Sequence, residues 1–179
     1  MRAMVIRDAD PNTDAAACAA IYEPAVTGSA ISFEEEAPDA DQVADRIRRH
    51  AATHAWLVAE REGAVVGYAY GCPHRERAAY RWTAEVAVYV APVARGEGIG
   101  SALYAALADR LRALGYRLLV AGVTVPNDAS IALHRSAGFR DVGVFRAVGW
   151  KAGEWRDVAW LELDLAGGDD APPAAAPGR

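Results

Sequence analysis

Lysine is nearly missing from this sequence: of 19 basic residues, only Lys151 is a lysine, and the rest are arginines. Schiff-base chemistry and a phosphate-loop lysine are therefore disfavoured, because each would depend on that one side chain. Cysteine is almost as scarce. Cys18 and Cys72 are too few for a disulfide scaffold, and no charged, apolar and small-residue signal pattern opens the chain, which points to a reducing, cytoplasmic setting. No apolar run is long enough for a membrane span, and a net charge of -5 argues against a basic nucleic-acid surface. Neither a membrane nor a nucleic acid is expected as a partner.

What is present suits one enzyme-sized domain. The 179 residues divide into a single domain over 1–165 and a tail over 166–179 of Ala, Gly, Pro and Asp, which is expected to be disordered. Met4 to Ile6 reads as a short strand. Asn12 is expected to cap a helix whose face carries Ala17, Ile21 and Ala25, and Asp39 with Gln42 forms a capping box for a helix carrying Val43 and Ile47. Trp56–Glu60 and Ala64–Tyr70 flank Arg61-Glu62-Gly63 as a hairpin with a three-residue turn.

After a charged break, Trp82–Val90 is the next strand. Ile99, Leu103, Leu107, Leu111 and Leu114 mark one helix face, stopped by Gly115. The nearly continuous apolar run Leu118–Thr124 then reads as a doubly covered strand, parallel to Trp82–Val90 through a crossover helix. A further helix opens at Asn127-Asp128 and runs to Ala137, and Phe139–Val148 with Arg156–Leu165 make a final hairpin.

The chemistry concentrates where the Trp82–Val90 strand gives way to a glycine-rich turn, Arg95-Gly96-Glu97-Gly98-Ile99-Gly100, at the start of the long helix. Small residues there open the main chain to a ligand, and unpaired amides plus the helix dipole favour a pyrophosphate. A turn that merely needs unusual dihedrals is the competing reading. Two nucleotide-binding alternatives fail on spacing. No Gly-Lys-Ser/Thr follows the last glycine, and Ser101 stands where a dinucleotide fingerprint needs glycine or alanine, with Leu118–Val123 where it needs an acid.

Arg95-x-x-Gly98-x-Gly100 after a strand, followed by Asn127-x-x-Ser130-x-x-Leu133-His134-x-x-x-Gly138-Phe139, resembles the GNAT superfamily of N-acetyltransferases over residues 4 to 165. The resemblance implies a mixed α/β (α+β) fold with a mostly antiparallel sheet of six or seven strands, helices on both faces and a splayed parallel central pair. It also implies acetyl-CoA as co-substrate and no metal. Val88, Tyr89 and Val90 would lie along the pantetheine, Arg95, Gly96, Glu97, Gly98, Ile99, Gly100 and Ser101 would hold the phosphates, and Asn127 and Ser130 would line the coenzyme.

A narrower set is similar to phosphinothricin acetyltransferases and the methionine sulfoximine and sulfone acetyltransferases: Phe33-Glu34-Glu35, Arg75-x-Arg77-x-x-Tyr80-x-Trp82-Thr83-x-Glu85, Tyr89, Leu133-His134 and Gly153-x-Trp155-x-Asp157-Val158. That likeness implies a small amino-acid analogue as acceptor, a homodimer, and an acceptor site formed from Phe33, Arg75, Arg77, Tyr80, Tyr89, Thr124 and Val158. Ala87 departs from it, standing where the herbicide-resistance enzymes usually carry a hydroxyl.

Glu85 opens an otherwise apolar strand and reads either as the base that takes a proton from the acceptor ammonium or as a salt-bridge partner of Arg81 or Arg77. His134 reads either as a structural helix residue or as the proton donor to the departing thiolate. Arg75 and Arg77 are a carboxylate clamp or a solvated loop. Trp150, Trp155 and Trp160 are expected in the core or a subunit contact, and His50 and His54, though spaced like metal ligands, lack the glutamate of a zinc protease at Ala51. Two other functions remain open: acetylation of a protein or peptide N-terminus, and non-catalytic sensing of an acyl-CoA.

Overall fold

The fold is built on strands rich in Val, Ala, Tyr and Trp. The computed structural model describes residues 4–167. In chain order it contains β1 (Met4–Asp8), α1 (Ala15–Thr27), α2 (Ala40–His54), β2 (Trp56–Arg61), β3 (Ala64–Pro73), β4 (Thr83–Val90), α3 (Ile99–Ala113), β5 (Leu118–Val125), α4 (Asp128–Ser136), β6 (Arg140–Lys151) and β7 (Glu154–Asp164). The strands form one seven-stranded sheet in the order β1-β2-β3-β4-β5-β7-β6. Every pairing is antiparallel except β4 with β5. The expected disordered tail lies, from residue 168 onward, outside the described residues.

Two apolar layers cover the sheet. On one face, Ile99, Leu103, Leu107 and Leu111 of α3 pack with Ala84, Val86, Leu119 and Val123. On the other, α1 and α2 pack Cys18, Tyr22, Val26, Val43 and Ile47 on Trp56, Val58 and Tyr68. Each fully buried leucine contributes about 1.5–3 kcal/mol by leaving water, so the fourfold leucine spacing of α3 is enough to fix that helix to its face. The capping box of α2 forms as its sequence suggests, with Asp39 Oδ1 accepting from the Gln42 amide at 2.8 Å and Gln42 Oε1 from the Asp39 amide at 2.9 Å.

Four local details differ from the sequence expectation. Asn12 does not cap α1; the helix begins after Asp14, whose carboxylate is held by Arg7 at 2.6 Å and 2.9 Å instead of by the helix amides. The core stripe of α1 is Ala15, Cys18, Tyr22, Ala25 and Val26, wider than the fourfold series suggests, with Ile21 packed at its margin, where Ile21 and Ala25 also border a cavity described below. The β2–β3 turn has two residues, not three, because Arg61 pairs with Ala64 and both Glu62 (φ 54) and Gly63 (φ 80) adopt the left-handed conformation of a tight hairpin. The β6–β7 hairpin is longer than its apolar run, extending to a tight turn at Ala152 and Gly153.

The feature that positions a site is the fork between β4 and β5. Their parallel ladder holds only Thr83 with Leu118, Ala84 with Leu119 and Glu85 with Val120. Beyond Glu85, β4 stays paired to β3 as far as Val90, while β5 turns to β7 alone. The β5-facing edge of Val86–Val90 therefore has main-chain groups without a strand partner.

Candidate active site

The fork opens into a cavity of about 630 Å³ between the start of α3 and α4. Val88, Tyr89 and Val90 line it from β4, Arg95, Gly96, Gly98, Ile99, Gly100 and Ser101 from the glycine-rich turn, and Asn127 and Ser130 from α4. The turn suits an anion. Gly98 occupies the N-cap of α3 with no side-chain oxygen on the helix amides, and no acidic residue stands in the first turn, so the opening amides of a fifteen-residue helix carry the positive end of its dipole unanswered. These residues fit a diphosphate group.

The three glycines serve different ends. Gly96 and Gly98 both have φ of 79° with no atom near the position of a Cβ, so they supply backbone conformation. A Cβ on Gly100 would lie 2.9 Å from Leu133 Cδ2, so this glycine lets α3 meet α4. Glu97, expected among the phosphate-holding residues, is not in the cavity wall; its carboxylate turns to an ion pair with Arg61, as a negative charge facing a diphosphate would repel it. Arg95 Nε reaches back to the Val90 carbonyl at 3.4 Å. Asn127 Oδ1 accepts from the Ser130 amide at 3.1 Å and so caps α4.

At the vertex of the fork, Glu85 Oε2 lies 3.4 Å from His74 Nδ1. The partner of Glu85 is this histidine at the end of β3, and neither Arg77 nor Arg81. The ring of His74 meets Tyr80 at 5.9 Å and Trp160 at 5.9 Å. Direct pairing puts Glu85, Ala87 and Tyr89 on one face of the sheet with Cys72, Tyr70 and Tyr68, and puts Val120, Gly122 and Thr124 beside Glu162, Trp160 and Val158. Helices α1 and α2 cover that face over β2, β3 and β4, leaving the β5–β7–β6 part for the connection between the two helices to cross.

That connection is firmly tied. Glu34 receives both guanidinium nitrogens of Arg46 at 2.8 Å and the Tyr22 hydroxyl at 2.9 Å, and the arginine holds its carboxyl below the ordinary range. Lys151 Nζ donates to the Glu34 carbonyl, and Thr124 Oγ1 donates to the Ile31 carbonyl at 3.4 Å. Phe33 consequently lies over the far end of β6, on the same side as Thr124 and Val158. Arg75, Arg77 and Tyr80 are exposed at the open end near His74, and neither arginine has a carboxylate partner among the described residues.

His134 is set apart from this group. It is 4% exposed, its Nδ1 lies 2.7 Å from the Ser130 carbonyl, and its Nε2 lies 2.7 Å from the Tyr104 hydroxyl. A carbonyl only accepts, so Nδ1 carries the proton and Nε2 accepts from Tyr104. Burial lowers the pKa of the ring below its ordinary value. With both nitrogens engaged inside the protein, the geometry differs from that expected of a proton donor facing the cavity, and describes instead a polar tie between α3 and α4. Cys18 and Cys72 are free thiols pushed up to about 12, mainly by burial, which leaves no ready thiolate nucleophile in the described residues.

His74 and Trp160 were not read as site residues from the sequence. The signals lie in strand register: with Cys72 paired to Glu85, His74, just past the end of β3 and two residues on, falls on the same face, and Trp160 reaches it from β7 opposite Gly122. Trp150 and Trp155 are neither core nor site in one chain, being 59% and 64% exposed.

Comparison with known proteins agrees with this arrangement. Residues 17–139 match the acetyltransferase (GNAT) family. The chain is 40% identical over 171 residues to a phosphinothricin N-acetyltransferase of Alcaligenes faecalis, covering 94% of this chain and 85% of that one. It is 37% identical to an L-methionine sulfoximine/L-methionine sulfone acetyltransferase of Salmonella typhimurium, covering 90% and 95%. Among solved structures, a GNAT superfamily phosphinothricin acetyltransferase from Sinorhizobium meliloti in complex with acetyl-CoA superimposes with a TM-score of 0.91 at 36% identity, over 98% of both chains. With a forked seven-stranded sheet, an uncapped glycine turn at the fork and relatives of this similarity along nearly its whole length, the chain belongs to the GNAT family and is an acetyltransferase.

Proposed function

We propose that this acetyltransferase uses acetyl-CoA to acetylate the α-amino group of a small amino-acid analogue, of the phosphinothricin, methionine sulfoximine or methionine sulfone type, by direct transfer. The observation that carries the reading is the position of Glu85, the last β4 residue paired to β5 before the fork opens, on the same strand as the Val88–Val90 wall of the coenzyme cavity. Bound acetyl-CoA supplies an acyl thioester as the electrophile. The amides from Gly96 to Ser101 hold its diphosphate, and the free edge of β4 from Val88 to Val90 holds its pantetheine. Glu85 takes a proton from the acceptor ammonium, freeing the nitrogen lone pair for attack, while His74 donates through Nδ1–H to keep the carboxylate in place. A main-chain N–H near Val90 would donate to the oxygen on which charge develops, and as the carbon–sulfur bond breaks the coenzyme thiolate would leave and take up the second proton lost by the attacking nitrogen.

Arg75 and Arg77, with Tyr80, bind the acceptor's carboxylate and its polar head, and Phe33, Tyr89, Thr124 and Val158 enclose its aliphatic part. His134 acts as a positioning residue of α4. The two thiols, held protonated, support transfer without an acetyl-cysteine intermediate. Blocking the amine of a toxic analogue in this way is a route to resistance. Free cysteines fit the reducing cytoplasm, and no helix among the described residues is long and apolar enough to cross a membrane.

A homodimer is part of this reading. Val142, Val144, Phe145, Val148, Trp150 and Trp155 are all exposed on the β6–β7 hairpin, whose outer strand β6 is a sheet edge. Exposed apolar side chains on both faces of an edge hairpin suit a contact with a second copy of the chain.

The test is thiol release from acetyl-CoA with phosphinothricin, methionine sulfoximine, methionine sulfone and a peptide with a free N-terminus. Turnover with the amino-acid analogues and none with the peptide is expected. Preference for the peptide moves the enzyme to N-terminal acetylation, and coenzyme binding without any turnover makes it a sensor.

A further inference from the structure

Gly149 has no conformational need to be glycine: unlike Gly96 or Gly98, its φ is outside the left-handed range. What a side chain there would meet is the ring of Phe33. A Cβ built on Gly149 would lie 2.6 Å from Phe33 Cζ and 2.7 Å from Cδ2, closer than packed carbons approach, so the aromatic ring occupies the space a side chain would fill. Register places Gly149 opposite Arg156 on β7, two residues before Val158, so it extends the face formed by Thr124 and Val158.

We infer that Gly149 is a specificity-determining residue, whose bare Cα seats the Phe33 ring flat against β6 and thereby sets the width of the acceptor pocket. The inference deepens the proposed function and rests on its reading of Phe33 as a pocket wall. The main chain around Phe33 has little freedom to withdraw: Ile31 is bonded to Thr124 on β5, and Glu34 is bonded to Arg46, Tyr22 and Lys151. A methyl group at position 149 therefore acts on the ring, whose terminal atoms are the ones displaced, and drives it over the open face where the acceptor's side chain would lie. The sheet itself tolerates the change, since a strand residue with ordinary dihedrals gains only one methyl group. Phe33 itself is not in the wall of the coenzyme cavity, and Ile31, which is, stays bonded to Thr124.

Three variants, Phe33→Ala, Gly149→Ala and the double substitution, are compared with the parent enzyme in steady-state kinetics with L-methionine sulfone and acetyl-CoA, and in titrations of methionine sulfone followed by tryptophan fluorescence. Gly149→Ala is expected to raise the acceptor KM and Kd on the order of tenfold, with the acetyl-CoA KM unchanged. Phe33→Ala is also expected to weaken the acceptor, and adding Gly149→Ala to it is expected to change nothing further, because the ring to be displaced is gone. An unchanged acceptor KM in Gly149→Ala beside a raised one in Phe33→Ala overturns the inference while leaving the role of Phe33 standing. Multiplying effects in the double variant overturn it too, and an unaffected Phe33→Ala enzyme removes the underlying reading of the pocket wall together with the inference. If Gly149→Ala does not fold, the double variant answers in its place: a folded double variant with the acceptor KM of Phe33→Ala supports the seat, and failure to fold in both backgrounds overturns it.

Discussion

The Tyr104 hydroxyl donates to His134 Nε2 across 2.7 Å inside the core, joining the middle of α3 to α4. Because the opposite nitrogen of the ring donates to the Ser130 carbonyl at 2.7 Å, the imidazole is neutral and fully engaged. Its value is to fix the two helices between which the coenzyme cavity opens.

Tyr104→Phe leaves a buried nitrogen without its donor, a loss of about 1–3 kcal/mol. Urea denaturation should show this destabilisation, while turnover per folded molecule stays near that of the parent enzyme. A large fall in turnover at unchanged stability would instead place the Tyr104–His134 pair in the proton path.

Glu85→Gln keeps the shape of the vertex and removes the carboxylate proposed as the base. Turnover should fall on the order of a hundredfold or more, with acetyl-CoA affinity by calorimetry unchanged. His74→Ala, which removes only the donor that orients the carboxylate, should lower turnover less, and His74→Asn, whose amide can replace the Nδ1–H, should recover part of it. Full activity in Glu85→Gln would eliminate Glu85 as the base.

Acid should weaken the fold before the carboxylates titrate. Burial lowers the pKa of His50 and His134 and brings His54 from the ordinary 6.5 to about 4. The unfolded chain therefore takes up protons below about pH 6.5 that the native chain refuses, so the stability from neutral burial is complete above that pH and is lost as pH falls toward 4. Thermal midpoints measured from pH 7 to 4 should fall steadily, and His54→Gln should flatten the slope. A midpoint that stays level over this window would contradict the lowered histidines.

The apolar hairpin should hold two chains together. Light scattering is expected to give twice the chain mass, and Trp150→Asp should weaken association by roughly 2–4 kcal/mol, the range of a central aromatic contact. A monomeric parent enzyme would show that the exposed side chains serve something else.

Local chemistry made much of this readable in advance. Asp39 and Gln42 cap α2 because a capping box involves residues three apart and nothing distant. The leucines of α3 and the parallel run of β5 follow from hydrophobic period alone. Asn12 failed as a cap for a nonlocal reason: Arg7 on β1, also held by Glu60 on β2, claims Asp14 and sets where α1 begins. The spacing of Ala17, Ile21 and Ala25 marks α1 as a helix, but only the folded chain shows that Ala25 and Ile21 serve both the core under α1 and the wall of the coenzyme cavity.

The sequence by itself determined the helices, most strands and the glycine turn, because periodicity, capping and backbone freedom act over a few residues. Only the tertiary structure decided which side chains meet at the fork. His74 reaches Glu85 through the register of β3 on β4, His134 is withdrawn into the core by a tyrosine thirty residues earlier, Glu97 is turned aside by Arg61, and Phe33 lies on Gly149 from the far side of the chain. Such pairings depend on how whole elements stack and twist, and no short-range rule encodes them.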